Sequence, residues 1–190
     1  MAAMKRLVGT TCLTFVTLLA AAGVPLVGAA STLVSFEIQD QFDHLHTDAE
    51  FAGRPLVLFG SDRKGSAFSG RWVEAVREAL TTAGHAETIQ LVEAADLRGV
   101  PFFVKGSVKK KFPREPAAWV LLDWRGHLAR SYGFTRDVCS ILLFDPDGRL
   151  TYRVAVTELD EEVLSELLSK VMALSSDGEE PASERGERER

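Results

Sequence analysis

Arg54-Pro55-Leu56-Val57-Leu58-Phe59-Gly60 is a short, unbroken apolar run with Pro at its start and Gly at its end. A run of that length with no polar alternation reads as a strand buried on both faces, the kind found inside a sheet covered by helices on each side. Downstream, Trp72, Val76, Ala79, Leu80 and Ala83 fall on one helical stripe, while Arg71, Glu74, Arg77 and Glu78 lie elsewhere. Ser66 or Ser69 is placed to cap that helix, and Gly84 stands where it should stop. A second apolar run, Thr88 to Val92, follows as the next strand.

A short helix is expected between Phe102 and Phe112, with Lys105, Lys109, Lys110 and Lys111 on a solvated outer face, or alternatively against an acidic partner or anionic lipid. Ala118 to Leu122 reads as a strand, His127 to Gly133 as one or two helical turns, and Ser140 to Phe144 as a further buried strand. Asp145-Pro146-Asp147-Gly148 is a turn signal leading into a strand over Arg149 to Val156. The last helix is expected to start at a capping box, Thr157 with Asp160, and to bury Leu159, Val163, Leu167, Val171 and Leu174. Strands alternating with helices and closing on a hairpin give an α/β sandwich around a mixed sheet.

The ends are of another character. Met1 to Arg6 carries Lys5 and Arg6, an apolar stretch runs from Leu7 to Val27, and Gly28-Ala29-Ala30 supplies small residues. This is the pattern of a secretory signal peptide over residues 1–30, cleaved near Ala30, with an uncleaved anchor helix as the alternative. Cys12 lies too close to Arg6 to be a lipidation site. From Ser175 to Arg190 no aliphatic or aromatic residue larger than alanine occurs, so residues 175–190 read as a disordered charged tail and residues 31–174 as the one folded domain. The 190 residues are 46% hydrophobic and 26% charged with a net charge of -5, which argues against a disordered polymer, a collagen, a polytopic membrane protein and a general nucleic-acid binder.

Several phrases resemble the thioredoxin-like superfamily in its peroxiredoxin and redoxin branch. Phe36 to Asp43 is similar to the opening hairpin of those proteins, and Gly53 to Phe59 to their first core strand. Val120 to Gly133 is similar to their "D-x-x-G-x-x-A-x-x-Y-G" segment, and Ile141 to Leu150 to their "F-L-I-D-x-D-G-x-I" hairpin. Gly60 to Ser66, Gly99 to Val104 and Lys109 to Pro113 bring the likeness nearest to the YtfJ-type exported proteins. The resemblance implies a thioredoxin-like sandwich with an N-terminal β-hairpin extension, exported to the periplasm or the cell exterior. It imports no established activity.

Oxidoreductases of this fold work from a cysteine at the N-terminus of the first helix, where the helix dipole and free N–H groups favour a thiolate. Here that stretch, Gly60 to Gly70, holds no cysteine, so neither a C-x-x-C pair nor the peroxidatic pattern exists. The expectation is a non-catalytic binding or accessory module with no cofactor and no metal. Its thioredoxin-type cleft would hold a peptide, a protein or a small anion, with no nucleic-acid partner and no membrane contact except through an uncleaved N-terminal segment. Asp62, Arg63, Lys64, Gly65 and Ser66 are the candidate ligand-binding residues, since a basic, Gly-containing loop entering a helix can receive an anion.

Cys139 is the competing candidate, as a single redox or sensing thiol with Arg136 close enough to favour its thiolate. The bland reading makes it a packing residue at the start of a strand. His44 and His46, with Asp43 and Asp48, form at most half a metal site, and a polar hairpin edge is the simpler reading. No G-x-S-x-G elbow supports Ser66 as a hydrolytic nucleophile.

Overall fold

The computed structural model of the chain describes residues 30–176. The proposed signal segment up to Ala29 and the tail beyond Ser176 lie outside the described residues. Ser175 and Ser176, assigned to the tail from sequence, instead complete the last helix.

The chain opens with a two-stranded antiparallel hairpin, β1 (Glu37–Gln39) and β2 (Leu45–Thr47). There follow β3 (Leu56–Ser61), α1 (Ser66–Thr82), β4 (Gln90–Asp96), α2 (Lys105–Lys109), β5 (Val120–Asp123) and α3 (His127–Ser131). The hairpin β6 (Cys139–Phe144) and β7 (Leu150–Val156) and the helix α4 (Glu161–Ser176) close the domain. The second sheet has five strands in the order β5-β4-β3-β6-β7. β3 and β4 are parallel, as are β4 and β5, whereas β6 runs antiparallel to both β3 and β7.

All six residues of β3 and all six of β6 are buried, as expected for central strands covered on both faces. Alternation along them feeds two cores. Leu56, Leu58, Leu142 and Phe144 face the hairpin and α3, with Phe36, Phe51, Leu128 and Tyr132. Val57, Phe59, Ile141 and Leu143 face α1 and α4, with Trp72, Val76, Leu167 and Val171. Trp72 is fully buried, and its indole N–H donates to the Thr157 carbonyl at 3.1 Å, tying α1 to the loop before α4.

Local details depart from the sequence reading for identifiable reasons. Thr88 is not in β4: its N–H and hydroxyl both donate to the His85 carbonyl, so the strand starts at Gln90 and runs on to Asp96. Pro116 to Ala118 forms a 3-10 turn instead of opening β5. α1 does stop at Gly84, whose φ of 77° lets the His85 N–H reach back to the Leu80 carbonyl. Its buried stripe includes Val73 and leaves Ala83 exposed. α4 is capped by Asp160, which accepts from the N–H groups of Glu162 and Val163, so Thr157 is outside the helix and Leu159 is 43% exposed.

Candidate functional site: a cleft at the first helix

The C-terminal ends of β3 and β4 and the start of α1 surround a cleft of about 460 Å³. In parallel sheets this is the end where backbone turns away and leaves room for a ligand. Ala94 and Ala95 form a small-residue floor, Val100, Val108 and Phe112 line the far wall, and Asp62, Ser66 and Gly70 line the near one.

The near wall is held by Asp62. Its Oδ1 accepts from the N–H groups of Lys64 (3.0 Å) and Gly65 (2.9 Å), and its Oδ2 from the N–H of Asp137 (3.2 Å). Burial pulls this carboxyl's pKa upward, but the three N–H donors and the nearby Arg136 charge outweigh it and hold the value below 3.8. The chain thus places its own carboxylate on the N–H groups that lead into α1. The candidate residues are brought together, with Arg63 exposed at the cleft and the others largely paired. Lys64 pairs with Asp137 at 2.9 Å, and the Ser66 hydroxyl donates to the Arg63 carbonyl at 2.9 Å. Neither Ser66 nor Ser69 caps the helix; Gly65 is the N-cap, and the first N–H groups of α1, from Ser66 to Ser69, donate to the backbone carbonyls of Asp62, Lys64 and Gly65.

Gly65 is required by contact: a Cβ there would lie 2.1 Å from the Val138 carbonyl oxygen. That approach joins the start of α1 to the segment before β6. Gly60, the last but one residue of β3, is covered by the Phe134 ring, 2.1 Å from where a Cβ would stand.

Ser69, one turn into α1, is buried and donates to Glu93 Oε2 at 2.9 Å. Sequence reading missed Glu93, Ala94, Ala95, Val100, Val108 and Phe112 as cleft residues. The available signal was the change in β4 from Leu91-Val92 to Glu93-Ala94-Ala95-Asp96, small and charged residues at the ligand-facing end of a strand.

Cys139 stands opposite Ser61 in the β3–β6 register and is fully buried, in the core with Trp72 and Ile141. Burial pushes its thiol up to about 12, against a smaller opposing effect of the Ser69 hydroxyl. The expectation that Arg136 would lower that pKa is corrected: desolvation dominates, and the Glu93 charge adds to it.

The histidine cluster converges on Asp40 and not on Asp43 or Asp48. Asp40 is buried and accepts from the N–H groups of Phe42 and His44; His44 Nδ1 lies 3.3 Å and His46 Nε2 3.4 Å from its Oδ2. His46 also meets Glu50 at 2.9 Å and stacks on Trp119 at 4.2 Å between centroids. Asp48 accepts from Ser35 and Phe36. Among the described residues no group of three or more His, Cys, Asp and Glu side chains is placed to hold a metal ion.

No family model and no curated protein matches the chain. Solved structures do. The exposed lipoprotein thioredoxin of Streptococcus pneumoniae aligns at a TM-score of 0.55 and 15% identity, covering 72% of this chain and 99% of its own. The chain has the thioredoxin-like fold. A hypothetical protein from Sinorhizobium meliloti aligns at 0.55 and 18% identity, covering 80% of this chain and 86% of its own. A secreted Mycobacterium tuberculosis disulfide oxidoreductase aligns at 0.51 and 16%, covering 73% and 95%. No residue of Gly60 to Gly70, the stretch that borders the cleft and leads into α1, is a cysteine.

Proposed function

We propose that this chain is an exported thioredoxin-fold binding module that works without thiol chemistry, close in kind to the YtfJ-type exported proteins. The observation that carries the reading is the cleft: about 460 Å³, floored by Ala94 and Ala95 and walled by Val100, Val108 and Phe112, with no sulfur open to it. Its occupant is an extended peptide segment with apolar side chains. A small anion is disfavoured at the loop, because Asp62 already occupies the N–H groups of Lys64 and Gly65 and the cleft lining carries three acids, Asp62, Glu93 and Asp96, against two bases, Arg63 and Lys111. The single-thiol alternative is disfavoured by the burial of Cys139. The Leu7 to Val27 stretch supports export, as a signal peptide or an anchor.

The test is a titration of isotopically labelled protein with a reduced, carboxymethylated unfolded protein, followed by amide shifts. Shifts are expected at Ser61 to Ser66, Val100 and Phe112. Gly70→Leu should abolish them while leaving the fold intact, since nothing lies within 4 Å of a Cβ at Gly70, which lines the cleft. No shifts in the cleft, or turnover of a disulfide substrate that depends on Cys139, would overturn the proposal.

A further inference from the structure

Phe102 and Phe103 are the most exposed large apolar side chains described, at 81% and 75%. They sit side by side on one 3-10 turn (Phe102–Val104), edge to face, with centroids 5.8 Å apart. Leaving two whole phenyl rings in water is unfavourable, and contiguous apolar surface of this kind marks a contact with something else. Neither ring lines the cleft. They lie in the chain between Val100 and Val108, which do line it.

The charge around them is one-sided. Between Asp96 and Glu115 the chain carries Arg98, Lys105, Lys109, Lys110, Lys111 and Arg114 and no acid, within a protein whose net charge is -5. Two of these cations are already matched: Arg98 is bound by Asp96 and Lys109 by Asp43. Lys110 and Lys111 are exposed. The expectation of one solvated lysine face is therefore corrected, since Lys105 lies over the Trp124 ring, 4.9 Å from its centroid.

Lys105 also opens a second depression, of about 700 Å³, which begins at the residue following the Phe turn. Lys105, Arg125, Arg130, His127 and Trp124 line it. Of the acids there, Asp123 is buried and turned to the N–H groups of His127 and Ala129, leaving Glu37 as the exposed one. A protruding apolar pair, exposed lysines beside it and a basic, aromatic-lined depression match the layers of an anionic bilayer surface: acyl boundary, surface potential and headgroup phosphate.

We propose that the Phe102–Phe103 turn inserts into the interface of an anionic membrane, with Lys110 and Lys111 against its surface and the Lys105–Arg125–Arg130 depression receiving a headgroup phosphate. The acidic remainder of the domain is repelled by the same surface, which fixes this face towards it. The cleft opens beside the docked turn.

The test uses the full chain carrying Cys12→Ser and Phe103→Cys, labelled with a polarity-sensitive dye. Cys139 is buried and stays unlabelled in the native protein. The dye reports insertion at this turn and is blind to membrane binding through the N-terminal apolar stretch alone. Vesicles of phosphatidylglycerol and phosphatidylcholine should shift the emission to the blue, and phosphatidylcholine alone should not. Adding Lys110→Glu and Lys111→Glu should raise the vesicle concentration at half-shift at least about thirtyfold. No shift with either vesicle overturns the proposal. So does an equal shift with both that ignores the lysine variants. A shift produced by soluble polyglutamate and not by vesicles assigns the face to an acidic protein and also overturns it.

Discussion

On one side of the cleft, the loop from Asp62 to Gly65 spends its polar groups on itself: Asp62 holds three backbone N–H groups, Lys64 is paired, and Gly65 touches the Val138 carbonyl. On the other side, the segment from Pro101 to Phe112 lends Val108 and Phe112 to the cleft while its outer turn leaves two phenyl rings and two lysines in water. Both sides border the same cavity, yet the first is closed by internal contacts and the second by few. With no thiol in the helix-entry loop and the N–H groups of Lys64 and Gly65 already bound by Asp62, the larger exposed apolar surface for contact lies on the far wall. The difference is open to direct attack by substitution.

The largest effect is expected at Gly65. Gly65→Ala forces a methyl onto the Val138 carbonyl and should lower stability by about 3 kcal/mol, the upper end for overpacking, read from the urea midpoint at unchanged slope. A loss within experimental error would show that the two segments are not locked together.

Asp62→Ala comes next, at about 1–2 kcal/mol, because it strips the N–H groups of Lys64, Gly65 and Asp137 of their acceptor. The effect depends on pH. The folded pKa of Asp62 is held below 3.8, so its contribution is complete above the unfolded carboxyl value and disappears as pH falls through the folded one. The variant should therefore differ from wild type at pH 7 and converge with it in strong acid, as measured by denaturation across pH 2 to 7.

A smaller effect belongs to alkaline solution. The thiol of Cys139 moves from 9.0 to about 12 and the Tyr132 hydroxyl from 10.0 to about 12, both by burial first. A raised acid pKa means that the unfolded chain releases its proton first, so stability is full below the unfolded values and falls as pH rises from about 9 towards 12. Cys139→Ala should make that fall shallower without removing it, since Tyr132 remains. An unchanged alkaline profile would contradict the burial of the thiol.

The smallest stability effect is expected on the far wall. Phe102→Ser with Phe103→Ser should change stability by no more than about 0.5 kcal/mol per site, because neither ring has a buried environment to lose. A large loss would mean that the turn supports the fold and is not a contact surface.

The fold was legible because β3 and β6 are runs buried on both faces and the Asp145–Gly148 turn is strongly marked. The alternation of these runs with helical stripes left little choice of topology. Helix starts were read less well. Thr157, Ser66 and Ser69 each looked like a cap, but Asp160 outcompetes Thr157, since a charged acceptor binds backbone N–H groups more strongly than a hydroxyl, and the first N–H groups of α1 go to the backbone carbonyls of Asp62, Lys64 and Gly65. The candidate loop borders the cleft, but the pairing of Asp62 with the N–H groups of Lys64, Gly65 and Asp137 was not legible, because the identity of its partners depends on folding. The reading of Cys139 as a packing residue at the start of a strand holds, since it opens β6 and packs in the α1 and α4 core, whereas the alternative of a thiolate favoured by Arg136 rested on nearness in sequence alone.

The central claim is that this cleft works without sulfur, and thiol labelling of native full-length Cys12→Ser protein tests it most directly. With maleimide at pH 7, the account predicts no modification of Cys139 until denaturant is added. Rapid labelling of the native protein, with a midpoint below the free-thiol value of about 8.5, would contradict it and return Cys139 to the centre of the mechanism.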